Sequence, residues 1–281
     1  MASWAEAVQQ ELRMGDTNLY LSSLFVPEAK RGAVQALYAF ATDVARVPFV
    51  VSEAALGEIR LQWWHDTVDG IFDGNAQDSP VAQGLAEAVQ VGDLPKHALI
   101  NLIRAHQFDL YSDPMPSFND LEAYLGETQS ALIQMTASIL NADEALECAE
   151  ASGLAGVAYG LVSLLRNLPQ WLGQHSNFIP ADMMAARGLE VGKLRDKEFE
   201  AARGVLFAEL REHAKARLFQ ARKRAWTIKP DLKPAFLHVA LTEAYLETIR
   251  KAGSGLVNKP HDLAQWRKQW LLWKAAKSES F

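Results

Sequence analysis

The stretch ASGLAGVAYGLVSLLRNLPQWLG, residues 151–173, predicts a buried helix that runs into a polar site and then a turn. Arg166 is the only charged residue in this stretch, and a cation at the end of an apolar helix either complements the helix dipole or binds an anion. Pro169 lacks a backbone donor, so we expect the helix to kink or end just before it. Three glycines allow a neighbouring helix or a ligand to approach closely: Gly153, Gly156 and Gly160.

Helical periodicity dominates the rest of the chain. Apolar residues recur at three- and four-residue spacing in 27–47, 52–72 and 117–140, and the breaks between such segments are short. No alternation of apolar and polar residues lasts long enough to predict a sheet. We therefore expect one all-α domain over residues 1–281, with roughly eight to ten helices. In the second segment the pattern predicts an inward face made of Leu56, Ile59, Trp63 and Val68.

Composition excludes several functional classes. The formal net charge of −6 argues against a general nucleic-acid binder, which normally carries a basic field. Cys148 is the only cysteine, so the chain has neither an internal disulfide nor a zinc cluster. Residues 1–16 resemble neither a secretory signal nor a transit peptide. We expect a cytoplasmic protein that is soluble or peripheral on the inner membrane.

Two segments near the N-terminus carry candidate polar groups. Residues 16–31 contain several hydroxyls, including that of Tyr20, together with Arg31. These groups either bind a phosphate or simply cap a helix and face solvent. Asp43 and Arg46 lie one helical turn apart, a spacing that favours an ordinary surface ion pair. Asp43 is nevertheless the candidate for a catalytic base or a metal ligand.

Four segments together resemble the squalene/phytoene synthase family over residues 15–255. They are LFVPEAKRGAVQALYAF (24–40), LGEIRLQWWHDTVDGIFDGNAQDSPVAQGL (56–85), SFNDLEAYLGETQSALIQM (117–135) and GLAGVAYGLVSLLRNLPQWLGQHSNFIPADMMAARGL (153–189). The resemblance implies an all-α isoprenoid-synthase bundle with a central cavity. Active members join two prenyl diphosphates head to head. Their two D-x-x-x-D motifs hold Mg²⁺, because acids four residues apart share a helix face.

Both acidic motifs are degenerate in this chain. By the resemblance, their positions fall at Ala45 and Phe49 in the first helix and at Asn167 and Trp171 in the second. Such side chains cannot supply the hard oxygen ligands that Mg²⁺ requires. We therefore expect no catalytic pair, no metal site and no cofactor. The residues that we expect to contact a ligand are Tyr20, Arg31, Arg46, Ser163 and Arg166.

One branch of the family, the proteins similar to a respiratory complex I assembly factor, also lacks intact aspartate pairs. The segment YAFATDVARV, residues 38–47, resembles that branch, as does the helix that follows it. The resemblance implies a non-catalytic, membrane-associated protein that supports assembly of complex I. Its partners would be complex I subunits, the membrane surface, or a prenyl chain or other lipid in the cavity. The alternative is a transferase that condenses prenyl diphosphates head to head with Mg²⁺.

The C-terminal segment, residues 260–281, contains a basic helix that is rich in tryptophan. Trp266, Trp270 and Trp273 share one helical stripe, and basic residues surround them. A helix of this kind can lie in a membrane interface. It can also pack its tryptophans on the domain core, or enter a groove of a partner protein.

Overall fold

The computed structural model describes residues 4–75, 77–173 and 178–278, and this part of the chain is helical without a β-strand. The all-α prediction is therefore confirmed. The described residues form fifteen α-helices, more than the sequence predicted, because several are short and follow one another closely. They are α1 Trp4–Gly15, α2 Thr17–Ser23, α3 Glu28–Val50, α4 Ala54–Phe72, α5 Pro80–Gly92, α6 Lys96–Ala105, α7 Phe118–Leu125, α8 Ala131–Leu140, α9 Ala142–Ala145, α10 Ala149–Arg166, α11 Leu168–Gly173, α12 Ala181–Ala185, α13 Glu200–Lys223, α14 Thr242–Ala252 and α15 Gln265–Lys277.

Helix α10 lies at the centre of the fold. It contacts α13, α14, α8 and the π-helical turn Gly126–Ser130 between α7 and α8. Gly156 faces the backbone of Ser130, and Gly160 faces the side chain of Leu125. Two of the three predicted close approaches are thus present, because only glycine leaves room for the neighbouring chain.

The end of α10 follows from the proline after it. The helix ends at Arg166, and Pro169 occupies the first turn of α11, where a missing backbone donor is tolerated. The predicted break is confirmed. By length and composition the stretch Ala142–Arg166 could cross a membrane, yet 67% of its apolar window is buried inside the protein. That degree of burial is typical of the core helix of a globular domain.

Helix α4 turns a different face to the core than the apolar pattern predicted. Leu56, Ile59 and Trp63 are exposed by 48%, 67% and 39%. Asp43 of α3 orients the helix, because it accepts a hydrogen bond from Trp64 Nε1 at 2.8 Å and pairs with Arg60 at 2.9 Å. The buried face is instead formed by Gly57, Leu61, Trp64, Thr67 and Val68. Of the four predicted residues only Val68 points inward.

We predict that Gly156→Ala lowers the free energy of unfolding by about 1–3 kcal/mol, because the new methyl group would overlap the Ser130 backbone. Gly153 is the matched control, since it lies one turn earlier in α10 and a methyl group there would meet open space. Gly153→Ala should leave stability unchanged or raise it by up to about 1 kcal/mol. Urea denaturation of both variants measures the difference. Equal midpoints would contradict this account of α10 packing.

Candidate functional site

A cavity of about 660 Å³ opens between α2, α3, α10, α11 and the C-terminal segment. All four positions of the degenerate motifs line it. Ala45 and Phe49 come from α3, whereas Asn167 and Trp171 follow the end of α10. The two motifs therefore face the same space, as the resemblance implied.

Phe49 and Trp171 are in direct contact across this cavity. Their ring centroids are 4.6 Å apart with an interplanar angle of 59°. Trp171 also packs edge-on against Phe178, again at 4.6 Å. Aromatic pairs at such distances stabilise a structure beyond the area they bury. Two positions that carry acids in active synthases thus form an apolar bridge between α3 and α11.

A cluster of charged and polar groups lies at the wall of the cavity. Arg166 is largely buried, and its guanidinium lies 3.3 Å from Asp262 and 4.8 Å from the ring centroid of Tyr245. Asp262 also accepts hydrogen bonds from the Tyr245 hydroxyl at 2.6 Å and from Lys268 Nζ at 2.7 Å. Asn18 of α2 joins the cluster through its side-chain bonds to Tyr245. The carboxylate of Asp262 thus connects α10, α14 and α15.

The pKa shifts of the cluster follow from these contacts. Burial opposes ionisation of Asp262, but the hydrogen bonds from Lys268 and Tyr245 and the charge of Arg166 outweigh it and lower its pKa. Burial likewise disfavours the charge on Arg166, yet nearby Tyr159, Tyr245 and carboxylates raise its pKa above the ordinary value. Both groups are therefore ionised at neutral pH.

Three of the predicted ligand contacts line the cavity, and two do not. Arg46, Ser163 and Arg166 lie in its wall. The guanidinium of Arg31 instead donates hydrogen bonds to the carbonyl of Val26, at 3.0 and 3.2 Å. The ring of Tyr20 lies under the guanidinium of Arg13, at 5.9 Å from centroid to Cζ. Local contacts hold both side chains outside the cavity lining, so their placement as cavity ligands is corrected.

Asp43 also lies outside the lining of this cavity. Its carboxylate is held by Arg60 and Trp64, and the expected ion pair with Arg46 is not formed. The predicted ion pair is wrong because Arg60 of α4 is better placed to pair with Asp43 than Arg46, which lies on the same helix as Asp43. Arg46, by contrast, extends toward Gly15, where its Nη1 lies 3.5 Å from the point that a β-carbon on this glycine would occupy.

Sequence reasoning missed Asp16, Asp262 and Lys268 as cavity residues. Asp16 caps α2 by accepting hydrogen bonds from the backbone of Asn18 and Leu19, at 2.8 and 2.9 Å. One signal was present in the sequence. Lys268 lies four residues before Leu272, on the inward stripe of α15, and a lysine on a buried face requires an acidic partner.

The three tryptophans of α15 point away from the core. Trp266, Trp270 and Trp273 are exposed by 70%, 53% and 51%, whereas Lys268 and Leu272 are buried. Packing of the tryptophans on the core, one of the alternatives left open by the sequence, is therefore excluded. Contact with a membrane or with a partner protein stays a prediction.

The sequence profile of the squalene/phytoene synthase family matches residues 12–274. The chain belongs to this family. Among solved structures, a dehydrosqualene synthase in complex with a ligand superposes with a TM-score of 0.82 at 16% identity, covering 96% of this chain and 94% of that one. This similarity confirms the isoprenoid-synthase fold that the sequence resemblance implied.

Two kinds of relative match the chain in sequence. Assembly factor 6 of NADH dehydrogenase (ubiquinone) complex I from Bos taurus is 32% identical over 241 residues, covering 85% of this chain and 72% of the relative. A phytoene synthase from Thermus thermophilus is 26% identical over 275 residues, covering 96% and 91%. The relatives of this chain thus include both assembly factors and enzymes. Similarity alone does not decide between these two functions, so the residues of the site are needed.

The cavity of this family member does not fit the Mg²⁺ that active synthases use. In the part of the chain that the structure describes, no group of three or more His, Cys, Asp or Glu side chains is placed to hold a metal ion. The carboxylates that line the cavity are those of Asp16 and Asp262. The first caps α2 and the second is neutralised by Arg166 and Lys268. Both carboxylates are already committed to protein contacts.

We predict that Asp262→Asn lowers the free energy of unfolding at pH 7 by about 1 kcal/mol, a value reduced for the solvent that screens this half-exposed carboxylate. The substitution leaves two buried cations without their shared acid. The pKa of Asp262 is lower in the folded protein than its ordinary value of 3.8. The stability that Asp262 contributes is therefore present above pH 3.8 and is lost as the pH falls through the folded-state pKa. Denaturation at several pH values should show wild type and variant converging in acid. A gap that persists there would contradict this assignment.

Proposed function

We propose that this protein is a non-catalytic member of the squalene/phytoene synthase family that supports the assembly of respiratory complex I. The observation that carries the proposal is the Phe49–Trp171 contact, which occupies two of the four metal-binding positions with packed rings. The similarity to assembly factor 6 of Bos taurus favours the same function. The protein would act in the cytoplasm, peripherally bound to the inner membrane, with complex I subunits as its partners.

The loss of the acids bears directly on the barrier of the synthase reaction. Mg²⁺ neutralises the diphosphate leaving group, a contribution of several kcal/mol. Losing about 4 kcal/mol of transition-state stabilisation slows a reaction about a thousandfold. Asn167 and Trp171 provide no charge to replace it, and the nearby Arg46 and Arg166 repel a cation. The proposal therefore requires no cofactor.

The cavity that remains suits an amphiphilic ligand. Phe49, Leu132 and Trp171 supply apolar wall. The lining also holds three cations, Arg46, Arg166 and Lys268, against the carboxylates of Asp16 and Asp262, which leaves it positively charged. A prenyl chain or another lipid with an anionic head group combines both properties. The protein would bind such a ligand without converting it. The fold of a synthase would then serve to hold a lipid during assembly of complex I.

Deletion of the gene tests the assembly function. We expect the deletion strain to show less fully assembled complex I on a native gel, and the wild-type gene to restore it. Ala45→Trp should restore it poorly, because the indole would fill the cavity wall. Trp226→Ala is the control, since this side chain is 82% exposed and lies outside the cavity lining. Unchanged complex I in the deletion strain would show that the assembly function is wrong.

A direct assay tests the transferase alternative. We expect purified protein to form no head-to-head product from farnesyl or geranylgeranyl diphosphate with Mg²⁺, because the positions that would hold the metal carry no acid. The phytoene synthase from Thermus thermophilus would serve as the positive control. Turnover by the purified protein, abolished by Asp16→Ala or Asp262→Asn, would instead establish a transferase with a rearranged site.

A further inference from the structure

Helix α15 has two faces of opposite character. Lys268 and Leu272, four residues apart, are buried against the protein, and Leu271 and Ala275 are partly buried beside them. The opposite face carries three large aromatic side chains that are at least half exposed: Trp266, Trp270 and Trp273. A stripe of three exposed indoles on a helix whose opposite face packs against the protein marks an interaction surface.

The exposed face of α15 is also positively charged. The helix, QWRKQWLLWKAAK, contains no acidic residue, although the whole chain has a net charge of −6. Lys274 Nζ lies 5.4 Å from the ring centroid of Trp270, and Lys277 Nζ lies 3.9 Å from that of Trp273. The ammonium groups thus border the indole rings, which makes this surface a local cationic and aromatic patch.

We propose that α15 docks on an anionic lipid bilayer through this tryptophan stripe. Indole rings settle at the level of the lipid head groups, and lysine stems reach past them to the phosphates. Tryptophan is enriched at protein–protein interfaces, but lysine is depleted there, so the two lysines that border the indoles favour a lipid surface over a protein partner. A second copy of the chain is disfavoured as well, because two such faces would oppose like charges.

The helix that docks on the bilayer also borders the cavity. Lys268 lies between Trp266 and Trp270 in sequence, and it reaches inward to Asp262 in the cavity wall. The same two turns of helix therefore contact the bilayer and border the cavity. The tryptophan face of α15 would meet the bilayer, and its opposite face borders the cavity. The docking does not depend on the proposed lipid ligand.

Co-sedimentation of the full chain with vesicles tests the proposal. We expect binding to vesicles of phosphatidylcholine mixed with phosphatidylglycerol, and much weaker binding to phosphatidylcholine alone. Replacing the three tryptophans of the stripe by alanine should weaken binding by about tenfold for each residue removed. Replacing Arg267, Lys274 and Lys277 by glutamine should weaken it up to about a hundredfold and remove the preference for anionic lipid.

The controls separate docking from unfolding and from other partners. Trp226→Ala removes a tryptophan that is 82% exposed outside α15, and it should bind vesicles as wild type does. Circular dichroism should show that all variants retain the wild-type helix content. Wild-type protein that ignores anionic vesicles, or a triple tryptophan variant that binds them fully, would overturn the proposal. Light scattering that shows a dimer lost in the triple variant, without vesicle binding, would assign the face to a second copy instead.

These outcomes are independent of the assembly function. Vesicle binding is measured on purified protein, whereas the native gel reports on complex I in cells. Binding without an assembly defect would retain the docking surface and reject the proposed function. An assembly defect without vesicle binding would retain the proposed function and reject the docking surface.

Discussion

The buried charge of Arg166 is the constraint on which the site depends. A guanidinium removed from water requires compensation, and in this protein Asp262 supplies it from the segment that follows α14. Lys268 shares that carboxylate with Arg166 and holds the start of α15 against the cavity. The inward direction of Lys268, and with it the outward direction of the tryptophans on the opposite face, thus agrees with the need for charge compensation at the end of α10.

The Phe49–Trp171 contact joins two helices at positions where the resemblance implies acids in active synthases. Facing clusters of carboxylates repel one another unless cations lie between them. An aromatic pair removes that requirement and adds contact between α3 and α11. Packed rings at these positions carry no charge, so they need no cation between them. The aromatic pair also converts the polar end of the cavity into one that combines apolar wall with the positive charge of Arg46 and Arg166, the combination on which the proposed lipid ligand rests.

Particular elements show how far sequence reasoning reaches. The pattern in residues 27–47 predicted α3, and two of the three glycines of α10 correctly marked its close contacts. Helix α4 was placed with the wrong face inward, because apolar residues lie on both of its sides. Its rotation is fixed by tertiary contacts, among them the hydrogen bond from Trp64 to Asp43 and the ion pair of Asp43 with Arg60. Tyr20 and Arg31 do not line the cavity for a related reason, since Tyr20 packs under Arg13 and Arg31 donates hydrogen bonds to the carbonyl of Val26.

The sequence by itself determined the all-α class, the break at Pro169 and the absence of acids at four motif positions, because these depend on residue type and on spacing along one helix. Only the tertiary structure decided which side chains share the cavity. Asp16 lies near one end of the chain and Asp262 and Lys268 near the other, and their meeting with Arg166 depends on how α2, α10 and α15 pack. Local periodicity carries no information about such meetings, since a buried charge can be neutralised by a partner at any separation along the chain.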